Sequence, residues 1–143
     1  PAIGNVTSAL QPLAPVIIRV TTGLLMVPHG AQKLFGAFGG YGLEGTAGWL
    51  ESIGFAPGLL FALAIGLLEF FGGLLLTVGL LTRPVAAAVL VFMTVAVLTH
   101  IPAGYFWING GFETPLMWGL LALATLIQGG GKFSIDHKIG REF

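Results

Sequence analysis

Two ionisable side chains interrupt long apolar stretches of this chain. Arg19 and Glu69 each lie within a hydrophobic segment, where a charge costs about 2.5 kcal/mol or more on membrane-insertion scales. A charge at that depth favours a partner of opposite sign, so we predict that Arg19 and Glu69 form a structural ion pair. The alternative is that Arg19 snorkels to the cytoplasmic surface and leaves Glu69 without a cation. Glu69 is also a candidate catalytic residue, as a proton relay, because acids at that depth are functional more often than chance.

A second group of polar and aromatic residues lies near the predicted outer ends of the helices. His29 and His100 are expected at the same level, with Lys33 and Glu113 close by. Such side chains can hydrogen bond the two oxygens of a quinone headgroup, and aromatic residues can form a slot for its ring. His100 is therefore a second proton relay candidate. The candidate ligand-binding residues are His29, Lys33, Trp49, His100, Tyr105, Trp107 and Glu113.

Other chemistries for these residues stay open. Two histidines could ligate a haem between helices, and His29, His100 and Glu113 are acceptable metal ligands whose spacing is not diagnostic. We predict quinone as the ligand and assign no metal site. The sequence has no Walker loop, no dinucleotide fingerprint and no convincing serine nucleophile constellation.

The composition indicates that lipid is the solvent for most of the chain. Hydrophobic residues make up 55% of it and charged residues 8%, with a mean hydropathy of +0.93, whereas soluble domains contain about 25% charged residues. The net charge is zero, which argues against a nucleic-acid partner. There is no cysteine, so protein thiols cannot carry out redox chemistry. Residues 1–12 lack the basic region of a cleavable signal peptide, so the first apolar segment is expected to remain as a span.

The elements that must position these residues are helices. We predict an all-α integral membrane protein, with residues 1–143 forming a single four-helix bundle and a possible short interfacial helix in the first outer loop. Small residues accompany Glu69 on one helical face, which indicates close helix packing around the acid. The predicted spans are residues 13–33, 57–81, 84–101 and 113–128, followed by a tail at 129–143.

The distribution of basic residues predicts the orientation. Arg83, Lys132, Lys138 and Arg141 fall on the side that holds both termini, and the opposite side has only Lys33. The positive-inside rule then places both termini and the tail in the cytoplasm, with the aromatic loops facing outward. The expected location is the bacterial inner membrane.

Three segments together resemble the DoxX family of bacterial membrane proteins: PHGAQKLFGAFGGYGLEGTAGWLESIGF (28–55), LLEFFGGLLLTVGLLTRPVA (67–86) and HIPAGYFWINGGFETPL (100–116). The resemblance implies a four-helix membrane protein. It also implies a relation to DoxD, the quinone-reducing subunit of thiosulfate:quinone oxidoreductase. Other members of the family have been linked to membrane-associated redox and thiol-stress complexes. Asn109 joins the ligand-binding set through this resemblance. Positions that match the family's recurring polar residues are Arg19, His29, Lys33, Glu69, Arg83, His100, Asn109 and Glu113.

The function that we predict is a membrane component of a quinone-linked redox system, which binds quinone or a similar lipophilic ligand near the outer face. Electrons would arrive from an oxidoreductase partner, because the sequence shows no redox centre of its own. The alternative is a non-catalytic membrane anchor or assembly subunit of an oxidoreductase complex, with a transporter as a third possibility. The expected partners are membrane lipid and either an oxidoreductase or further copies of the chain.

Overall fold

The computed structural model describes residues 1–141 and 143, and these residues contain helices and turns but no strand. The all-helical class is therefore confirmed. A π-helical turn at Leu68–Gly72 joins two of the helices. The helices are α1 (Ala2–Leu10), α2 (Ala14–Leu24), α3 (Val27–Phe35), α4 (Gly42–Ser52), α5 (Gly58–Leu67), α6 (Gly73–Val78), α7 (Thr82–His100), α8 (Glu113–Gln128) and α9 (Ile135–Lys138).

Three helical runs in the described part of the chain are long and apolar enough to cross a membrane. They are Ala2–Phe35, Gly58–Val78 and Thr82–Ala103. Helix α8 has only 16 residues, or about 24 Å at 1.5 Å per residue, which is less than the roughly 30 Å of a hydrocarbon core. A fourth span thus stays a prediction, and so does the interfacial position of α4.

The first helical run begins earlier than residue 13, where we predicted that the first span starts. Helix α1 continues into α2 through a 3-10 turn at Gln11–Leu13. Pro12 and Pro15 do not interrupt this run, because each lies in a first helical turn, where a missing N–H is tolerated. No residue of α1 is buried, so this extension adds nothing to the core.

Close packing of small residues sets the register between α2 and α6, which run antiparallel. A Cβ atom at Gly23 would lie 2.6 Å from the carbonyl oxygen of Gly73, and one at Gly73 would lie 2.6 Å from the carbonyl oxygen of Gly23. Only glycine permits such an approach. Ala62 and Gly66 are buried on the same side of the second run, as the sequence pattern predicted.

The tail folds back onto the turn between α6 and α7. The buried carboxylate of Asp136 accepts hydrogen bonds from the backbone N–H groups of Leu81 and Thr82, both at 2.9 Å. These are donors that the start of α7 leaves without a partner in the helix. The Asp136 N–H donates in turn to the carbonyl of Gly79 at 2.9 Å. The tail therefore caps α7, which the sequence analysis did not foresee.

Candidate ligand-binding site

A cavity of about 430 Å³ lies among α3, α4, α5, the π-helical turn, α7 and the start of α8. Its walls are mostly apolar, and a few polar side chains converge on it. The polar lining residues are His29, Lys33, Thr46, Glu69, Thr99, His100 and Thr114. The aromatic lining residues are Trp49, Phe55, Phe61, Phe92, Trp107 and Trp118. Apolar walls with a small number of polar groups are typical of small-molecule sites.

Glu69 and Lys33 form an ion pair in the wall of the cavity. The Lys33 Nζ lies 2.6 Å from the Glu69 Oε1, and the Glu69 side chain is 5% exposed against 25% for Lys33. Lys33 is in the last turn of α3, where the helix dipole favours a cation. Glu69 is in the π-helical turn, a distortion that is frequent at functional sites.

The predicted ion pair between Arg19 and Glu69 is not formed among the described residues. Arg19 is 1% exposed and donates to backbone carbonyls instead. Its Nη1 lies 2.8 Å from the carbonyl oxygen of Leu76 and 2.7 Å from that of Thr77, and its Nε and Nη2 reach Gly130 and Phe133 in the tail. Arg19 therefore ties α2 to the end of α6 and to the tail.

The antiparallel register explains this correction. Arg19 lies near the middle of the first run and Lys33 near its end, about 21 Å apart at 1.5 Å per residue. Arg19 faces Leu76, whereas Glu69 is further back along the second run and meets Lys33. Glu69 consequently belongs to the same cavity as the two histidines, and not to a separate site in the middle of the membrane.

His100 is held by two contacts at the end of α7. Its Nδ1 lies 2.8 Å from the carbonyl oxygen of Ala96, and its ring stacks on Trp107 with centroids 5.7 Å apart and planes inclined by 28°. A carbonyl oxygen can only accept a hydrogen bond, so the Nδ1 must carry the proton. In the neutral ring the Nε2 is then an acceptor.

His29 reaches the cavity from α3, beside a tryptophan that the sequence analysis missed. Its ring meets Trp118 edge to face, with centroids 5.4 Å apart. The Trp118 Nε1 donates to the backbone carbonyl of Thr22 at 2.9 Å, which fixes the indole in the wall. Helix α8 gave no signal for this contact, because Trp118 is one apolar residue among many there.

Three of the predicted ligand-binding residues do not line the cavity. The Glu113 carboxylate accepts a hydrogen bond from the backbone N–H of Trp107 at 3.1 Å and so supports the loop that carries the indole. Tyr105 packs edge to face on Phe106 and Phe112, and Asn109 closes the 3-10 turn at Trp107–Asn109. The polar and aromatic character of the loop did not reveal which side chains turn inward.

Metal binding gains no support from the geometry. Within the described residues, no group of three or more histidine, aspartate or glutamate side chains is placed to hold a metal ion. The three ligands considered for a metal were His29, His100 and Glu113, and Glu113 is directed to the backbone of Trp107 instead.

A family model described as DoxX matches residues 14–102, which is more than half of the chain. The chain belongs to the DoxX family. It is similar to an uncharacterized membrane protein of Mycobacterium tuberculosis, Rv3486, at 29% identity over 99% of this chain and 90% of that protein. An uncharacterized protein of Haemophilus influenzae is 29% identical over 90% of this chain and 92% of its own length. No solved structure matches the chain.

The DoxX match and the membrane protein relative agree with the hydrophobic helices, and this chain is a DoxX family membrane protein. The matched range contains His29, Lys33, Trp49, Glu69 and His100. It ends before Trp107 and α8, so the far wall of the cavity lies beyond it.

Proposed function

We propose that this DoxX protein is a membrane component of a quinone-linked redox system and that its cavity binds a quinone or a similar lipophilic ligand. The observation that carries the proposal is the composition of the cavity. Aromatic walls from Trp49, Trp107 and Trp118 surround a small set of hydrogen-bonding groups. A volume of about 430 Å³ is within the usual range for small-molecule sites, roughly 300 to 1,000 Å³.

The polar groups fit the oxygens of a quinone ring. The Lys33 ammonium has three N–H donors, of which the contact with Glu69 engages one. His29 on α3 offers a ring nitrogen and Thr114 on α8 offers a hydroxyl group, and both side chains line the same cavity. Residues on different helices can therefore contact the two oxygens of one ring, while the aromatic walls contact its faces.

A second, apolar groove supports a ligand that has a hydrocarbon tail. The groove has a volume of about 230 Å³ between α7 and α8 and shares Met93 and Pro115 with the wall of the cavity. Its other lining residues include Leu98, Leu116 and Leu120. An isoprenoid chain in this groove would place its head beside the cavity.

The proposal includes the inner bacterial membrane, with both termini in the cytoplasm. Arg83 donates to the carbonyl oxygen of Leu126 at 3.1 Å, at the end of α8, and Arg19 bonds to the tail. Basic residues thus gather at the end of the bundle that holds the tail, and the positive-inside rule favours the cytoplasm for that end. The cavity is then near the outer face. Because protein thiols are absent, we expect electrons to arrive from an oxidoreductase partner.

The test is to extract the protein gently and to identify bound lipophilic molecules and proteins by native mass spectrometry. Stoichiometric quinone on the purified protein would support the proposal. A constant protein partner with no quinone would instead favour the anchor or assembly subunit, and an absorption spectrum of the same sample would reveal a haem.

A variant links the ligand to the cavity. We expect His100→Ala to weaken quinone binding by about threefold to tenfold, because it removes the ring that stacks on Trp107 in the wall of the cavity. Titration of the detergent-purified protein with quinone measures the change. If the variant elutes from a size-exclusion column like the wild-type protein and binds quinone with unchanged affinity, His100 does not contribute to the site.

A further inference from the structure

The hydrogen bond at His100 determines which ring nitrogen can meet a ligand. The Nδ1 donates to the carbonyl of Ala96, one turn earlier in the same helix. One face of the ring stacks on Trp107. The Nε2 is therefore the polar atom of this side chain that remains for a ligand in the cavity, and in the neutral imidazole it has a lone pair and no proton.

The ion pair offers hydrogen-bond donors to a ligand, whereas His100 offers an acceptor. Lys33 presents N–H donors to the cavity, while its partner Glu69 is almost fully buried. A ligand oxygen beside Lys33 must accept a hydrogen bond, and a ligand group beside His100 must donate one. These two polar groups of the cavity wall therefore have different hydrogen-bonding requirements.

Quinone and hydroquinone differ in the hydrogen bonds that they can form with Lys33 and His100. The carbonyl oxygens of a quinone only accept, so a quinone would leave the His100 Nε2 desolvated without a donor, which carries a free-energy cost. A hydroxyl group both donates and accepts. A hydroquinone can thus accept from Lys33 with one oxygen and donate to the Nε2 of His100 with the other.

From this asymmetry we infer that the site selects the reduced, hydroxyl-bearing form of its ligand over the oxidised form, with His100 as the specificity-determining acceptor. The inference rests on the proposed function and names the ligand form that the same cavity holds. It also revises the sequence-based expectation that His100 donates to a quinone oxygen.

The experiment compares three probes on the detergent-purified protein without oxygen. The probes are a prenylated para-benzoquinone, its hydroquinone and the dimethyl ether of that hydroquinone. All three tryptophans of the chain line the cavity, so quenching of intrinsic fluorescence reports binding. Dissociation constants come from the titration midpoint, because the probes quench to different extents.

We expect the hydroquinone to bind about threefold to tenfold more tightly than the quinone, as one added hydrogen bond predicts. The dimethyl ether should not show this advantage. The preference should disappear in His100→Phe, which keeps an aromatic ring beside Trp107 but removes the Nε2. His137→Phe is the matched control, since His137 lies in α9 of the tail, and it should keep the preference.

Three results would overturn the inference. The first is that the wild-type protein binds the quinone as tightly as the hydroquinone, or more tightly. The second is that it binds the dimethyl ether as tightly as the hydroquinone. A preference that persists in His100→Phe would remove His100 as its source. If no probe binds at all, the proposed ligand class is wrong as well, which separates failure of the function from failure of the selectivity.

Discussion

The ion pair between Lys33 and Glu69 makes a strong prediction about stability. Lys33→Met keeps the length of the side chain but leaves the Glu69 carboxylate, 5% exposed, without its cation. Removal of one partner from a buried pair costs about 3 to 5 kcal/mol. The Lys33 side chain is 25% exposed, so water shields the pair in part and we expect about 2 to 3 kcal/mol.

Replacement of the acid instead of the cation should lower the free energy of unfolding by less. Glu69→Gln preserves the size of the side chain and removes the buried charge, while the exposed part of Lys33 regains water. We expect a loss of about 1 kcal/mol from the charge-assisted contact. The double variant should be more stable than the sum of the two losses, with a coupling energy of about 1 to 2 kcal/mol.

The assay is unfolding of the protein in mixed micelles, followed by the fluorescence of its tryptophans. Lys138→Met in the exposed tail is the matched control and should change the free energy of unfolding by less than about 0.5 kcal/mol. A parallel cycle with Arg19→Met and Glu69→Gln should show no coupling. Coupling of Glu69 to Arg19 instead of Lys33 would refute the register on which the site is built.

Two further predictions concern packing and the tail. Gly23→Leu should destabilise the bundle by about 3 kcal/mol or prevent folding, because its side chain would collide with the backbone of Gly73; micelle unfolding measures the loss, and a stable variant would contradict the register. Asp136→Ala should cost about 2 kcal/mol, since it removes two hydrogen bonds to the start of α7. Limited trypsin digestion should then cut faster at Lys138, and an unchanged cleavage rate would show that the tail does not depend on this cap.

The sequence predicts the all-helical class and several helix boundaries, because these boundaries follow from local chemistry. Composition identifies the membrane environment, and glycine and proline mark the boundaries: α8 ends before Gly129, and α5 follows Pro57. The pattern of small residues beside Glu69 correctly places this acid inside the bundle. These features depend on residues that are neighbours in the sequence.

The partners of the charged residues could not be predicted in the same way. Which cation meets Glu69 depends on the register between two helices, and that register is set by the contact of Gly23 with Gly73. Arg19 bonds to backbone carbonyls, which every residue offers and no sequence pattern distinguishes.

The cavity itself is a product of tertiary structure. The π-helical turn that carries Glu69 has no clear sequence signature. Trp118 enters the wall because α8 packs on α7. The Glu113 carboxylate instead accepts a hydrogen bond from the backbone N–H of Trp107. Sequence reasoning could identify the types of residue that a quinone needs, but not the subset that surrounds one space.

Photoaffinity labelling with an azido derivative of a prenylated quinone, followed by peptide mapping, tests directly whether the cavity binds a quinone. We expect labels to concentrate on residues that line the cavity, such as Trp49, Phe92 and Trp107, and we expect excess hydroquinone to prevent the labelling. Labels spread over exposed apolar residues such as Val91 and Ile127, and unaffected by excess hydroquinone, would contradict a quinone site in this cavity.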